Sequence, residues 1–191
     1  MATGKALDVQ VEGGPFSVVY ADPPWKYNRN TVEEGKLYHG TCSEKKYPLV
    51  KLADLKATEL PVADDAVLFL WVLNGYLPQG LDLLSSWGFT YSTVAFVWTK
   101  TTSKGNPRTG LGPLTLPGAE LCLLGRRGRT KDTVLLHYTG VRQVQSAPVG
   151  KHSRKPDCFR QAVETLTPGQ NRLELFARER HRDWSVWGNE V

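Results

Sequence analysis

The 191-residue chain has only three cysteines, Cys42, Cys122 and Cys158, far apart and without a CxxC spacing. That excludes a disulfide framework and a cysteine zinc site, and it predicts a reducing intracellular setting, the cytoplasm. The sequence has no apolar run as long as a bilayer span and no apolar stretch of the signal-peptide kind at its start. No membrane segment and no membrane partner are therefore expected. Repeats and low-complexity tracts are also missing. With 40% hydrophobic and 23% charged residues, the composition supports an ordinary core and excludes disorder. The length predicts a single domain over residues 1–191.

Several chemistries are excluded by missing motifs. No GxxxxGK[ST] is found: Gly150 and Lys151 are followed by His152, with no glycine at the needed distance upstream. Gly110, Leu111 and Gly112 do not continue into GxGxxG, and HExxH, the zinc-deaminase HxE and GxSxG do not occur. His39, His137, His152 and His181 show no metal-ligand spacing. A P-loop NTPase, a standard dinucleotide oxidoreductase and a zinc hydrolase all recede. The formal charge of +5 fits a polyanion partner without demanding one.

What the sequence does have is a series of apolar runs. Residues 16–21 (FSVVYA), 66–73, 91–99, 120–124 and 172–177 read as strands, and 49–58, 76–87 and 156–166 as helices. Pro156 is expected at a first helical position. Strands so continuously apolar are buried on both faces, as in a mostly parallel sheet. Their alternation with helices predicts an α/β sandwich. Two long polar stretches, 26–46 and 100–118, follow the first and third strands. Both are expected to border the crevice at the carboxyl ends of the strands, where open α/β sheets bind ligands.

The first strand runs into Asp22, Pro23, Pro24 and Trp25. Asp22 precedes a proline and so leaves the strand extended. The two prolines offer carbonyl oxygens but no N–H. The segment thus presents acceptors with few donors, which suits a group with only hydrogens to give, such as an exocyclic amine. Trp25 adds a face on which a flat ring could stack, worth about 1–3 kcal/mol for a nucleobase. A bland alternative is a Pro-Pro turn with Trp25 filling the core.

This segment resembles the D-P-P-W (MT-A70-like) family of S-adenosylmethionine-dependent adenine-N6 methyltransferases. The resemblance extends through FLWV at 69–72, FVWTK at 96–100, AELCLLGRRG at 119–128, HSRKPD at 152–157, LELFAR at 173–178 and WSVWGNE at 184–190. It implies a Rossmann-like methyltransferase sandwich in permuted motif order, with the catalytic motif ahead of the main cofactor segments. It implies S-adenosylmethionine as cofactor and no metal. By the same resemblance, Asp22 and the Pro23 carbonyl hold the adenine amine, with Trp25 against the flipped base. Lys155 pairs with the methionine carboxylate, supported by Ser153. Glu174 and Arg178 occupy positions that contact the cofactor ribose, and Asn189 one near its adenine ring, beside Glu190 where glutamine is frequent. Glu179, Arg180 and His181 replace the proline, histidine and asparagine of the eukaryotic catalytic subunit, so Arg180 or His181 inherits a ribose contact. Independently of any family, a carboxylate inside an apolar strand, as Glu174 is, needs a partner, either a ligand or an ion pair such as one with Arg178.

Basic residues complete the reading. Lys100, Lys104 and Arg108, with Arg126, Arg127, Arg129 and Lys131, read either as a phosphate-binding rim around the crevice or as a solvated basic face. Tyr27, Asn28 and Tyr38 are placed to contact the extruded base. The resulting expectation is methyl transfer to the N6 amine of adenine in nucleic acid. DNA is favoured over RNA, because the compact chain ending just after GNE looks bacterial or phage-borne. A catalytically silent nucleic-acid-binding subunit and a methyltransferase for small-molecule or protein amines are the competing readings. A homodimer and a complex with a partner subunit both stay open.

Overall fold

The computed structural model describes residues 4–25, 49–112, 114–130, 140–150 and 154–191. Tyr27, Asn28, Tyr38, Lys131 and Ser153 lie outside the described residues, as does all of the first long stretch, 26–46. Seven strands form one sheet: β1 (Phe16–Ala21), β2 (Val62–Val72), β3 (Thr90–Thr101), β4 (Ala119–Arg127), β5 (Val144–Pro148), β6 (Arg172–Leu175) and β7 (Ser185–Trp187). Among the described residues three α-helices accompany them: α1 (Leu52–Ala57), α2 (Leu77–Ser86) and α3 (Asp157–Leu166). None of these helices is long and apolar enough to cross a membrane.

The spatial order is β5-β3-β4-β2-β1-β6-β7. Four of the six neighbouring pairs are parallel; only β4 runs against its neighbours, β2 and β3. The mostly parallel α/β sheet is as expected, and the reversal of β4 has a local cause. The chain turns back from β3 to β4 without a crossover helix, and a direct return can only pair antiparallel. All other strands share one direction. Their carboxyl ends, together with the amino-terminal end of β4, therefore form one edge.

The central strand β2 ends in seven consecutive buried residues, Ala66–Val72. Its side chains divide by the two-residue period of a strand. Ala66, Leu68, Leu70 and Val72 join a core with Leu55 of α1 and Leu83 and Leu84 of α2. Val67, Phe69 and Trp71 join a second core with Phe159 and Val163 of α3. Helices thus cover both faces, which is why the strands read as unbroken apolar runs.

Some boundaries shift. Lys100 and Thr101 belong to β3, so the second long loop starts two residues later than expected. Pro156 caps α3 from outside its first turn instead of occupying the first helical position. Strands β5 and β7 had no apolar signature. Both are short edge strands, solvated on one side, and so carry polar residues.

The reversal of β4 also corrects the basic rim. Arg126 pairs with Val67 and Thr90, and Arg127 with Ala66, near the middle of β2 and at the amino-terminal end of β3. Glu120 begins β4 at the opposite edge, six residues and about 20 Å away. Arg126 and Arg127 therefore do not border the crevice. They were assigned to it because a strand's direction cannot be read from its composition.

Candidate active site

The central strand β1 delivers Asp22 to the carboxyl-end edge. The chain then folds tightly: the Trp25 N–H donates to the Pro23 carbonyl at 2.9 Å, and the Val50 N–H to the Pro24 carbonyl at 2.9 Å. The Pro23 oxygen thus has one lone pair engaged and one remaining. A bridge between Trp25 and Val50 draws the indole inward. Trp25 is 6% exposed and packs in the core beneath α1 and α2. This corrects the expected stacking face: the ring supports the turn, with its Nε1–H lacking a protein acceptor among the described residues.

Behind Asp22 lies a row of alternating charges. The Lys155 ammonium, delivered by the segment entering α3, is 2.6 Å from Asp22 Oδ2 and 3.2 Å from Glu120 Oε2. Glu120 Oε1 in turn binds the Lys100 ammonium. The two lysines rest over indole rings, Lys155 Nζ 5.3 Å from the centre of Trp71 and Lys100 Nζ 5.2 Å from that of Trp98. Lys100 is thus tied to the site's own carboxylate and does not stand apart as a phosphate contact.

These charges set one another's protonation. Burial pushes the Asp22 carboxyl above its ordinary range, and Lys155 offsets only part of that. Glu120 feels burial too, but Lys155 and Lys100 outweigh it and hold its pKa below normal. Burial opposes the Lys155 ammonium, yet Asp22 and Glu120 together lift its pKa. The row thus alternates two basic and two acidic side chains, each acid facing at least one base.

Next to Asp22 opens a cleft lined by Tyr20, Asp22, Arg154, Lys155, Glu174 and His181 among others. Glu174 reaches it from β6, whose register places Glu174 beside Tyr20 of β1. Its Oε2 is buried and has no hydrogen-bond partner among the described residues. The His181 Nε2 stands 3.8 Å from it and 3.3 Å from Glu179 Oε1. Burial, together with the charges of Asp22 and Glu179, raises the Glu174 carboxyl to about 7 against the pull of Arg160 and Arg154. Burial and Arg160 lower His181.

Past Glu174 the backbone is forced. Phe176 has a φ of 61°, a left-handed conformation costly for a side-chain-bearing residue, and its ring meets Trp187 edge-on at 5.5 Å. Gly188 allows the tight approach: a Cβ there would lie 2.2 Å from the Ala177 carbonyl oxygen.

The structure thus brings Asp22, Lys155, Glu174, Arg178 and His181 to one cleft. Asn189 and Glu190 are exposed in the turn after β7, at the same edge but outside the lining, with Glu190 3.9 Å from Arg178. Lys104 and Arg108 are exposed in the loop after β3. Sequence reasoning missed Glu120 and Arg154 and gave Glu179 no role of its own. Glu120 had a signal, since it opens the apolar run ELCLL and needs a partner as much as Glu174 does.

Asp157, Glu179 and His181 bring ligand atoms within 4.8 Å of one another. Arg154 occupies that cluster, its guanidinium bound to the carboxylates of both Asp157 and Glu179. The donor set does fit a nucleoside cofactor. Glu174 offers an unpartnered buried acceptor for ribose hydroxyls, and Asp22 and Glu120 are anions beside any cationic centre.

A carboxylate at the end of a central parallel strand, flanked by this cleft and a reversed β4, defines an α/β methyltransferase-like domain. The chain belongs to the MT-A70 family, whose sequence model matches residues 16–190. This is a family of S-adenosylmethionine-dependent methyltransferases. The chain is 34% identical to a protein named type II methyltransferase M.MunI from Mycoplasma sp, covering 92% of this chain and 78% of that protein. It is 32% identical to an N(6)-adenosine-methyltransferase MT-A70-like protein of Drosophila melanogaster, covering 98% of this chain and 28% of that one. It is 31% identical to the N(6)-adenosine-methyltransferase catalytic subunit METTL3 of Homo sapiens, over 98% and 30% respectively. The chain therefore spans under a third of these two eukaryotic relatives.

Proposed function

We propose that this protein is a one-domain cytoplasmic enzyme that transfers a methyl group from S-adenosylmethionine to the N6 amine of adenine in DNA. The observation that carries the reading is the Asp22 carboxylate, held by Lys155 at the mouth of a cleft into which Glu174 brings an Oε2 that has no hydrogen-bond partner among the described residues. DNA is favoured over RNA because the bacterial relative is matched over most of its length, whereas the eukaryotic adenosine methyltransferases are matched over a minor part. RNA is the second reading, supported by the names of those relatives.

Glu174 and Arg178 would hold the ribose, Lys155 the methionine carboxylate, and Asn189 the adenine edge of the cofactor. When bound, S-adenosylmethionine supplies an electrophilic methyl group. The amine of adenine is a weak nucleophile because its lone pair is delocalised into the ring. Asp22 and the second lone pair of the Pro23 carbonyl accept from the two N–H groups, which favours a pyramidal nitrogen aimed along one line. The nitrogen gains a methyl and sheds one proton. Asp22, its pKa lifted by burial, is placed to stabilise the developing cation and to take that proton. The reading calls on no metal for this step.

The test is transfer of labelled methyl to single-stranded DNA, duplex DNA and RNA of mixed sequence, followed by digestion to nucleosides. The expected product is N6-methyldeoxyadenosine, reduced at least about 100-fold in Asp22→Asn. N6-methyladenosine from RNA alone would favour the second reading. Cofactor binding without transfer to any polymer would favour the silent subunit.

A further inference from the structure

The loop between β3 and β4 carries three exposed leucines within six residues: Leu111 at 71%, Leu114 at 91% and Leu116 at 63%. Single exposed apolar residues are ordinary, but a cluster at the tip of one loop marks a contact surface. No charged residue lies between Arg108 and Glu120.

The tip is built, not slack. The Lys100 N–H donates to the Gly118 carbonyl at 2.7 Å, and the Arg108 N–H to the Lys100 carbonyl at 2.8 Å. The Gly110 N–H closes the tip on the Pro117 carbonyl at 2.8 Å. A Cβ on Gly112 would sit 2.5 Å from the Thr115 carbonyl oxygen, so the tip folds closely on itself. The stem is rooted in the site, because Lys100 pairs with Glu120. Lys104 and Arg108 stand exposed on the stem, at the edge where Asp22 lies.

Resting on the proposed adenine-methyltransferase activity, we infer that this tip is a wedge for duplex nucleic acid. Leu111, Leu114 and Leu116 would fill the stack that the target adenine vacates, while Lys104 and Arg108 hold the flanking phosphates. Asp22 lies inside the cleft edge, so a paired adenine reaches it only by leaving the helix. Aliphatic side chains are suited to unstacking base steps. The basic stem favours this occupant over a second copy of the chain, which carries the same +5 charge and the same stem.

The experiment replaces all three residues together (Leu111→Ser, Leu114→Ser and Leu116→Ser) at positions already in solvent. Methyl transfer is compared on a duplex, on the same duplex with the target adenine mismatched, and on the single strand. Transfer to the paired duplex is expected to fall about tenfold or more, with the other two substrates changed by less than about twofold. Separately, 2-aminopurine at the target position should brighten when wild-type protein binds the duplex without cofactor, and stay dim with the variant. Equal loss on all three substrates, no loss, or a wild type that brightens no duplex would overturn the wedge. A fall in oligomeric mass on substitution would overturn it in favour of an interface between copies. If wild-type protein methylates no nucleic acid, the proposed function fails, while the fluorescence still decides the wedge.

Discussion

Lys155→Met is expected to destabilise the folded protein by about 3–5 kcal/mol and to abolish methyl transfer. The lysine stands between two carboxylates, 2.6 Å from Asp22 and 3.2 Å from Glu120, and its side chain is almost wholly out of solvent. Removing it leaves two buried anions facing each other, with Lys100 able to serve only Glu120. The sign of the pH dependence follows. Without Lys155, both carboxyls would titrate higher in the folded state than in the unfolded chain. Each would then cost stability once pH rises above its unfolded value, near 4. The loss measured by denaturant titration should therefore be large at about pH 8 and much smaller at about pH 5. Lys155→Met combined with Asp22→Asn should regain part of the stability and none of the transfer. A Lys155→Met protein that keeps its stability at about pH 8 while losing cofactor binding would show that the lysine serves the cofactor and not the carboxylate row.

That row shows what the sequence could and could not disclose. Strand β1 and its Asp22 exit were legible because a buried parallel strand is apolar on both faces and ends abruptly at a polar turn. The same held for β2 and β6, whereas β3 was legible from its run of β-branched and aromatic residues, of which only Phe96 and Trp98 are buried. Glu120 was hidden by its neighbours: ELCLL reads as core, and the two lysines that satisfy the carboxylate come from 20 residues before it and 35 after. Long-range pairing leaves no local signature. Arg126 and Arg127 were misplaced for a related reason. Their composition announces a basic cluster, but which edge of the sheet receives it depends on β4 running backward. Trp25 failed in another way. The sequence offered both a stacking face and a core filler, and the Trp25–Val50 bridge selected the latter.

Glu174→Gln should do two opposite things, and together they separate a ligand-binding role from a structural one. In the free protein the Glu174 carboxyl titrates at about 7, with burial as the main cause and no hydrogen bond on Oε2. Its unfolded value is near 4.5. Below that pH both states hold the proton and Glu174 costs nothing. Between that pH and about 7 the unfolded chain releases a proton that the folded one keeps, so stability falls as pH rises. Above about 7 the full cost is present, up to roughly 3 kcal/mol. Glutamine has no such titration. The variant should thus melt several degrees higher than wild type at about pH 8 and nearly level with it at about pH 4.5. Cofactor affinity should move the other way. If Glu174 accepts from ribose hydroxyls, the ionised form is the one that binds, and its loss should weaken S-adenosylmethionine about 10- to 100-fold. Binding near pH 7 should also release a proton from wild type and none from the variant, read by calorimetry in buffers of different ionisation enthalpy. His181, Glu179, Asp22, Arg154 and Arg160 all act on this carboxyl, so His181→Gln serves as the control that leaves Glu174 in place. A Glu174→Gln protein that is more stable at about pH 8 and still binds the cofactor as tightly as wild type would remove Glu174 from the binding site.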